Sequence, residues 1–340
     1  MSTLSAQPGA RADRQRVSAT GSLMNAISFA DRVAIVTGAG GGLGRDYALD
    51  LARRGACVVV NDLGTSSDGT GAPSRMADNV VAEIRAAGGK AAASYDSVTT
   101  SAGGEAIVAT AVREFGRVDI LINNAGTLRN ALFEELQDST IDAMLEVHLK
   151  GGFNVTRPAF RLMKRQGYGR ILFASSAAGM FGNAEQAAYG AAKAGLVGLM
   201  NVLSQEGRGH GVLCNALLPT AESRMSAQMS AAQMKDFGEV YASAGPYVGN
   251  SGTPAFVTPL VVFLVSEVCK STHGIYSASL GRYARVFVAA SDGWIGPRDQ
   301  APRAEDIEAH FGEIAGTRNF SVPESLRDEF VEIIKLLKSQ

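Results

Sequence analysis

From Asp31 onwards, short apolar runs alternate with longer segments in which apolar residues recur at helical spacing. The runs are continuous rather than alternating, which is typical of parallel strands covered on both faces. The predicted strands are Val33–Val36, Cys57–Val60, Ala91–Ser94, Ile120–Ile122, Ile171–Ala174, Val212–Leu217 and Ala284–Ala289. Alternation of strands and helices without a linker predicts a single-domain Rossmann-type α/β fold, a doubly wound parallel sheet with helices on both faces.

The helical segments differ in how clearly they are bounded. The first follows the first strand and ends at Gly55. A long helix is predicted from Ser139 to Gln166, interrupted at Gly151-Gly152 and at Pro158. The others are Ser74–Ala87, one ending near Phe115, one after Ala187, and a Met-rich segment, Glu222–Tyr241. In that segment Met225, Met229 and Met234 form a stripe that suits either core packing or a lid over an apolar substrate.

The two ends of the chain are expected to lie outside the sheet domain. Residues 1–28 have no apolar signal-peptide core, so we predict a disordered leader, with a start at Met24 and an organelle transit peptide as alternatives. Residues 29–298 form the predicted domain, and residues 299–340 a helical tail. Leu326, Phe330, Ile333, Ile334 and Leu337 form an apolar stripe in that tail. We expect the stripe to pack on the domain or on a neighbouring subunit.

Composition and charge exclude several classes of protein. The 340 residues are 46% hydrophobic and 19% charged, with a formal net charge of −1. This balance gives no electrostatic attraction for nucleic acid or an anionic membrane. The most apolar run, Ala255–Val265, is too short for a membrane span and contains Pro259. Cys57, Cys214 and Cys269 have neither disulfide-like nor metal-ligand spacing, and only four histidines are present. We therefore predict a cytoplasmic protein without a metal site.

A glycine-rich turn directly follows the first predicted strand. Gly38, Gly42 and Gly44 lie in the sequence Thr-Gly-Ala-Gly-Gly-Gly-Leu-Gly-Arg, and a helix is expected next. Glycines let backbone N–H groups approach a pyrophosphate at the positive end of a helix. Asp62 ends the second strand. Its separation from Gly44, the last glycine of the turn, is close to the roughly 20 residues expected for a carboxylate that binds a ribose diol. Because a carboxylate repels a 2′-phosphate, we predict NAD rather than NADP.

Two further polar segments follow strands of the same predicted sheet. Asp96, Ser97 and Val98 come after the third strand, and Asn123-Asn124-Ala125-Gly126 after the fourth. Ligands of open α/β sheets bind beyond the carboxyl ends of the strands. Either segment alone is compatible with an ordinary turn. Because both follow strands of the same sheet, we expect them to lie at the edge where the glycine turn lies.

A tyrosine and a lysine lie one helical turn apart near the end of the predicted sheet. Tyr189 and Lys193 are four residues apart, so a helix brings the phenol and the ammonium to one face. A cation next to a tyrosine favours its phenolate, which makes the phenol a usable base. Ser176 follows the preceding strand, and its hydroxyl is able to hydrogen-bond the oxygen that exchanges a proton with the tyrosine.

These motifs, in this order, resemble the short-chain dehydrogenase/reductase family over roughly residues 30–290. Within that family, segments such as Val147–Gly151 and Gly293–Gly296 look like the (3R)-hydroxyacyl-CoA dehydrogenase domains of peroxisomal multifunctional enzymes of type 2. Those domains oxidise (3R)-hydroxyacyl-CoA and some 17β-hydroxysteroids with NAD. The resemblance weakens after Met225, in the region expected to shape the substrate pocket.

The resemblance implies a role for each matching residue. Tyr189 would accept the proton of the alcohol, Lys193 would bind the cofactor ribose and lower the pKa of the phenol, and Ser176 would orient the alcohol oxygen. The cofactor-binding residues that it implies are Gly38, Gly42, Leu43, Gly44, Asp62, Asp96, Ser97, Val98, Asn124, Ala125, Gly126, Tyr189, Lys193 and Pro219.

One position departs from the family pattern. Many members have an asparagine in the long helix that anchors a water molecule next to the lysine, whereas this chain has His148 between Val147 and Leu149. An imidazole can hold or pass a proton near neutral pH, so we count His148 as a candidate catalytic residue. A histidine that is simply hydrogen-bonded within the helix interior is an equal alternative.

Taken together, the sequence predicts an NAD-dependent enzyme that oxidises a secondary alcohol of a bulky, lipid-like substrate, such as a hydroxyacyl-CoA or a hydroxysteroid. The alternatives are an NADPH-preferring carbonyl reductase and a non-catalytic dinucleotide-binding protein of the same fold. The resemblance also suggests a homodimer or homotetramer built on the helices around Ile141–Met163 and Ala187–Leu203.

Overall fold

Continuous apolar runs form the central strands, as the sequence predicts. The strands are β1 Val33–Thr37, β2 Cys57–Asn61, β3 Lys90–Ser94, β4 Ile120–Asn123, β5 Gly169–Ala174, β6 Val212–Thr220, β7 Gly274–Ser279 and β8 Arg282–Val286. They form one eight-stranded sheet in the order β3-β2-β1-β4-β5-β6-β7-β8. β1 to β7 are parallel, and β8 pairs antiparallel with β7. The predicted fold class, a doubly wound α/β sheet, is confirmed.

The structure, a computed structural model, describes residues 26–66, 68–69, 75–222 and 247–338, with single residues at 230, 233, 235, 238 and 243. The predicted leader as far as residue 25 lies outside the described residues. So do most of the Met-rich segment and its three methionines, Met225, Met229 and Met234.

Helices cover both faces of the sheet. They are α1 Gly42–Arg53, α2 Met76–Ala86, α3 Ser101–Phe115, α4 Asp138–Met144, α5 Gly151–Gln166, α6 Ala177–Phe181, α7 Ala187–Arg208 and α8 Thr258–Leu264. One apolar cluster joins α1, α2 and α8 to one face, and a second joins α3, α5 and α7 to the other. Successive residues of β1 alternate between the two clusters, which is why its sequence is apolar throughout.

The far edge of the sheet differs from the sequence prediction. β7 was not predicted, because Gly-Ile-Tyr-Ser-Ala-Ser has no β-branched run. Its pairing with β6 is supported by the Asn215 side chain, whose Oδ1 accepts a hydrogen bond from the Gly274 amide at 3.0 Å. The last strand was predicted too late in the chain, since β8 ends at Val286. Leu280 and Gly281 both have positive φ, and they form a tight turn, so that β8 begins directly after β7.

The predicted interruption of the long helix at Gly151-Gly152 and Pro158 is wrong. Both glycines and Pro158 lie within α5, and the irregularity is instead a π-helical segment, Leu145–Lys150, between α4 and α5. The glycines are required for close packing. A Cβ at Gly152 would lie 2.7 Å from Leu196 Cδ2 of α7, and one at Gly151 would lie 2.9 Å from Val98 Cγ2.

The chain after β8 forms a second, smaller sheet and three helices. It comprises the two-stranded sheet of β9 Ala290–Ser291 and β10 Phe320–Ser321 and the helices α9 Ala304–Ala309, α10 Phe311–Ile314 and α11 Leu326–Lys338. No residue of these three helices is buried, and Leu326 and Phe330 of the α11 stripe are 69% and 56% exposed. The division at residue 298, and the packing of the tail on the domain or another subunit, remain predictions.

Close packing of α3 against α5 depends on a glycine. A Cβ at Gly104 would lie 2.3 Å from the Asn154 carbonyl oxygen, so Gly104→Ala should lower the free energy of unfolding by about 1–3 kcal/mol. At Gly198 in α7 a Cβ would have no described neighbouring atom within 4 Å. Gly198→Ala is therefore the control, and should raise stability by up to about 1 kcal/mol. Urea denaturation compares the two, and equal effects would contradict the packing argument.

Candidate active site

A glycine turn leads from the end of β1 into α1. Gly38 and Gly42 have φ of 64° and 52°, which side chains with a Cβ adopt only at a cost. At Gly44 a Cβ would lie 2.3 Å from the Gly38 carbonyl oxygen. The absence of side chains therefore lets the turn fold tightly. The first N–H groups of α1, like those of any α-helix, have no partner within the helix.

Hydrogen bonds tie this turn to the end of β4. The Thr37 hydroxyl accepts hydrogen bonds from the Asn124 and Ala125 amides, each at 3.0 Å. The Asn124 side chain donates back to the Thr37 and Gly38 carbonyls at 3.0 and 3.2 Å. Asn124 therefore fixes the position of the glycine turn relative to the neighbouring strand, a contact that the sequence motif alone does not reveal.

Asp62 is held at the end of β2 by backbone amides. Its carboxylate accepts hydrogen bonds from Gly40 N at 2.8 Å and from Gly64 N at 2.7 Å. Each carboxylate oxygen has a second lone pair, so the group is still able to accept hydrogen bonds from the two hydroxyls of a ribose. The arrangement orients a negative charge toward the region beside the glycine turn.

A cleft of about 260 Å³ lies between these elements. The predicted residues that line it are Gly38, Gly42, Leu43, Gly44, Asp62, Asp96, Val98, Asn124, Ala125 and Gly126. The sequence did not indicate the other lining residues, which are Gly41, Asn61, Leu63, Thr65, Ser66, Gly69, Thr99, Thr127 and Val147. Among the described lining residues there are two aspartates and no lysine or arginine.

Four predicted cofactor-binding residues do not line this cleft: Ser97, Tyr189, Lys193 and Pro219. The Ser97 hydroxyl lies 2.9 Å from the Thr99 hydroxyl and accepts a hydrogen bond from the Thr99 amide at 3.2 Å. Pro219 lies within β6, opposite Ala278 of β7. The segment after β3 was thus identified correctly as part of the edge, but which of its side chains point into the cleft depends on local turn geometry.

Ser176, Tyr189 and Lys193 meet at the end of β5. Ser176 is the N-cap of α6, and its hydroxyl accepts a hydrogen bond from the Ala178 amide at 3.1 Å. Tyr189 and Lys193 lie in α7, with Lys193 Nζ 5.5 Å from the centre of the tyrosine ring. Lys193 is 4% exposed, and its Nζ donates to the Ala174 carbonyl at 2.6 Å. The end of β5 therefore holds the ammonium group in place.

Burial changes the pKa of both groups in α7. It raises the pKa of Tyr189, while the Ser176 hydroxyl acts in the opposite direction. It lowers the pKa of Lys193 to about 7. Near neutral pH the lysine is therefore partly protonated in the cofactor-free protein, so the field that it exerts on the phenol varies with pH.

His148 lies behind the tyrosine, in the π-helical segment. It is 2% exposed, and its ring meets the Tyr189 ring edge to face, with the ring centres 5.1 Å apart. Its Nε2 is 2.7 Å from the Thr127 carbonyl oxygen. Burial and the nearby charge of Lys193 hold the pKa of His148 well below its usual range. The structure thus brings His148 together with Tyr189 and Lys193.

The part of the chain that the structure describes contains no group of three or more His, Cys, Asp or Glu side chains arranged to hold a metal ion. Within those same residues, no helix is long and apolar enough to cross a membrane.

The low pKa of Lys193 predicts a stability effect. Below pH 7 both the folded and unfolded chains carry the proton, so folding includes the full cost of burying the charge. Between about pH 7 and the ordinary lysine pKa of 10.5, the Lys193 side chain is neutral in the folded chain but protonated in the unfolded chain. Stability therefore rises with pH over this range. In the cofactor-free protein Lys193→Met should raise the free energy of unfolding by at least about 1 kcal/mol at pH 6, and by less at pH 9.5.

Urea denaturation at the two pH values measures this effect. Lys90 is exposed at the start of β3, so Lys90→Met is the control and should change stability little at either pH. A Lys193→Met variant that is less stable than the wild type at pH 6 would show that the buried ammonium is not the cost we describe.

Comparisons with known proteins agree with this geometry. The family model described as "short chain dehydrogenase" matches residues 32–234. A short-chain type dehydrogenase/reductase of Mycobacterium tuberculosis is 46% identical over 284 residues, which cover 84% of this chain and 94% of that protein. Mouse peroxisomal multifunctional enzyme type 2 is 41% identical over 92% of this chain, which spans only 40% of the mouse protein.

A solved structure extends the likeness to three dimensions. The crystal structure of a short chain dehydrogenase from Mycobacterium avium has a TM-score of 0.71 at 34% sequence identity, covering 86% of this chain and 98% of that one. The expected family, and the resemblance to peroxisomal multifunctional enzyme type 2, are therefore confirmed. This chain belongs to the short-chain dehydrogenase/reductase family.

Proposed function

We propose that the protein is an NAD-dependent dehydrogenase that oxidises a secondary alcohol to a ketone. The observation that carries the proposal is the meeting of Ser176, Tyr189 and Lys193 at the same edge of the sheet as the cleft beside the glycine turn. A proton acceptor and a cofactor cleft at one edge of the sheet are what hydride transfer from an alcohol requires.

The three residues divide the work between them. Tyr189 accepts the hydroxyl proton of the substrate, and the Ser176 hydroxyl hydrogen-bonds the same oxygen and favours the ionised phenol. Lys193 contributes positive charge beside the phenol and hydrogen-bonds the cofactor ribose. Because its ammonium is already fixed by the Ala174 carbonyl, little rearrangement is needed when substrate binds.

The residues of the cleft fit NAD. The glycine turn and the first amides of α1 would bind the pyrophosphate, and Asp62 the adenosine ribose. Val98 would contact the adenine, and Asn124 and its neighbours the nicotinamide half. Bound there, the nicotinamide ring supplies the acceptor for the hydride of the alcohol. Ser97 and Pro219 remain proposed contacts that cofactor binding would have to create.

Apolar side chains favour a lipid-like substrate. Phe181 ends the helix that begins after Ser176 and is 72% exposed, and Phe133 is 78% exposed. Leu132 and Phe133 follow Ala131, whose amide donates to the Glu185 carbonyl in the loop before α7 at 2.9 Å. These exposed side chains belong to segments next to those of Ser176 and Tyr189, and they would suit the acyl chain of a hydroxyacyl-CoA or the rings of a hydroxysteroid.

The runner-up is an NADPH-preferring carbonyl reductase, and the acidic lining of the cleft argues against it. A non-catalytic dinucleotide-binding protein would have no need of a buried ammonium whose pKa is lowered to about 7. We also propose a homodimer or homotetramer in which the exposed stripe of α11 is covered, and a cytoplasmic location in keeping with three free cysteines.

Cofactor preference tests the role of Asp62. The wild type should turn over NAD at least about tenfold more efficiently than NADP, since the carboxylate binds a diol and repels a phosphate. Asp62→Ala should lose most of this preference by weakening use of NAD. Steady-state kinetics with both cofactors measure it, and a wild-type preference for NADP would remove Asp62 as the determinant.

The proton acceptor is tested by removing one oxygen atom. Tyr189→Phe should lower kcat by at least about a thousandfold with any secondary alcohol, because a phenyl ring cannot take the proton. Its affinity for NADH, followed by fluorescence, should stay within about twofold of the wild type. Tyr283 lies in β8, at the far edge of the sheet, and its hydroxyl donates to the Phe256 carbonyl. Tyr283→Phe is therefore the control. Substantial turnover by Tyr189→Phe would contradict the assignment.

A further inference from the structure

The hydrogen-bonding geometry of His148 identifies its tautomer. Nε2 has two contacts with Thr127: the carbonyl oxygen lies 2.7 Å away, and the amide N–H points toward Nε2 from 3.3 Å. The shorter contact decides between the two tautomers, because without a hydrogen on Nε2 two acceptors would face each other at 2.7 Å, whereas the amide contact is already long for a hydrogen bond. The proton is therefore on Nε2, and Nδ1 has a lone pair.

That lone pair has no protein partner. Nδ1 is buried, and among the described residues no donor lies within hydrogen-bonding distance of it. The ring is packed tightly on the side of β4, since a Cβ at Gly126 would lie 2.5 Å from His148 Cε1. A buried acceptor left without a donor costs about 1–3 kcal/mol. Such a group is commonly satisfied by an internal water molecule.

A small cavity adjoins the imidazole. It has a volume of about 10 Å³, which is the least space that holds one water molecule. His148, Asn123 and Thr37 provide polar groups in its wall, and the rest of the wall is Val98, Ala125, Val147, Gly151, Gly152 and Leu196. Glycines at 151 and 152 bring the helix close, and the π-helical turn directs the imidazole into the space between β4 and α7.

We propose that this cavity holds one water molecule that donates a hydrogen bond to His148 Nδ1, and that the water-bound neutral imidazole positions the Tyr189 ring. The importance of that position for turnover rests on the proposed function, whereas the water site itself does not. His148 is thus a positioning residue. No proton passes through the ring, because Nε2–H is directed at a carbonyl oxygen that has no proton to exchange.

The electrostatic surroundings favour the neutral ring. Burial lowers the pKa of His148 most, and the ammonium of Lys193 on α7 lowers it further, whereas the Thr127 carbonyl acts in the opposite direction. Tyr189 is the other titratable group against the ring, and it makes the edge contact. A second positive charge beside Lys193 is thereby avoided.

Nitrogen NMR of the full-length protein, labelled with ¹⁵N-histidine, tests the tautomer without any enzyme assay. The chain has four histidines, and loss of one signal set in His148→Asn assigns the residue. We expect His148 to remain neutral and protonated on Nε2 from about pH 5.5 to 8.5, across the ordinary pKa near 6.5. A titration in that range, or a proton on Nδ1, would overturn the proposal.

Matched substitutions test the water and the positioning role. Asparagine and leucine have the same branching, and Oδ1 of asparagine can occupy the position of Nδ1 and accept the same hydrogen bond. His148→Asn should retain kcat within about threefold, whereas His148→Leu and His148→Phe should lose at least about tenfold, with unchanged NADH affinity. Phenylalanine keeps the ring but lacks the acceptor, so its full activity would overturn the water site's role.

The pH profile separates positioning from proton transfer. The acid limb of kcat should have the same midpoint in the wild type and in His148→Asn, because the imidazole does not titrate. An acid limb that disappears in His148→Asn would show that the ring exchanges protons, contrary to the proposal. If the wild type turns over no alcohol at all, the proposed function fails, while the NMR result still decides the tautomer and the site of the lone pair.

Discussion

The join between the ends of β1 and β4 is the constraint on which the rest of the molecule depends. Strand order reverses here, with β2 and β3 on one side and β5 to β8 on the other, so the connections leave in opposite directions and open a crevice. Four hydrogen bonds, each of which involves Thr37 or Asn124, join the two strand ends. If these strand ends separated, the glycine turn, the carboxylate of Asp62 and the residues around Tyr189 would no longer face a common space.

The two sides of that space differ in electrostatic character. The side formed by the glycine turn and Asp62 consists of backbone amides and carboxylates. The side formed by the end of β5 and the start of α7 contains the buried ammonium of Lys193, whose pKa is lowered by burial. A neutral imidazole beside that ammonium avoids a second buried charge. Sensitivity to pH is thereby concentrated in the Lys193–Tyr189 pair.

The sequence predicted most of the fold because its strands are buried on both faces. β1, β2, β4 and β5 are apolar runs between turn signals, and the glycine turn lies where strand and helix must meet. β7 could not be predicted in the same way, because its pairing depends on the side chain of Asn215, which is 59 residues from Gly274. The π-helical segment has nearly helical apolar spacing, so only the backbone reveals it.

The candidate site divides along similar lines. Residue types and order were enough to propose Ser176, Tyr189, Lys193, the glycine turn and Asp62 as site residues, since their proposed chemistry follows from local spacing. The orientation of Ser97 toward Thr99, the burial that sets the pKa of Lys193, and the contact of His148 with Thr127 depend on parts of the chain that meet only after folding. His148 was recognised as unusual from the sequence, but its tautomer and its neighbours were not accessible there.

The antiparallel direction of β8 determines where the tail begins. Because β8 is antiparallel to β7, the chain leaves the sheet at the edge where the parallel strands begin. Glu324 of the tail forms ion pairs with Arg208 at 3.4 Å and with Arg285 at 3.9 Å. Arg208 ends α7, and Tyr189 lies in its first turn, about 29 Å away along the helix axis. One helix thus has its chemistry at one end and its anchorage for the tail at the other. The Glu324 ion pair with Arg208 is therefore separated from the phenol of the same chain by nearly the whole length of α7.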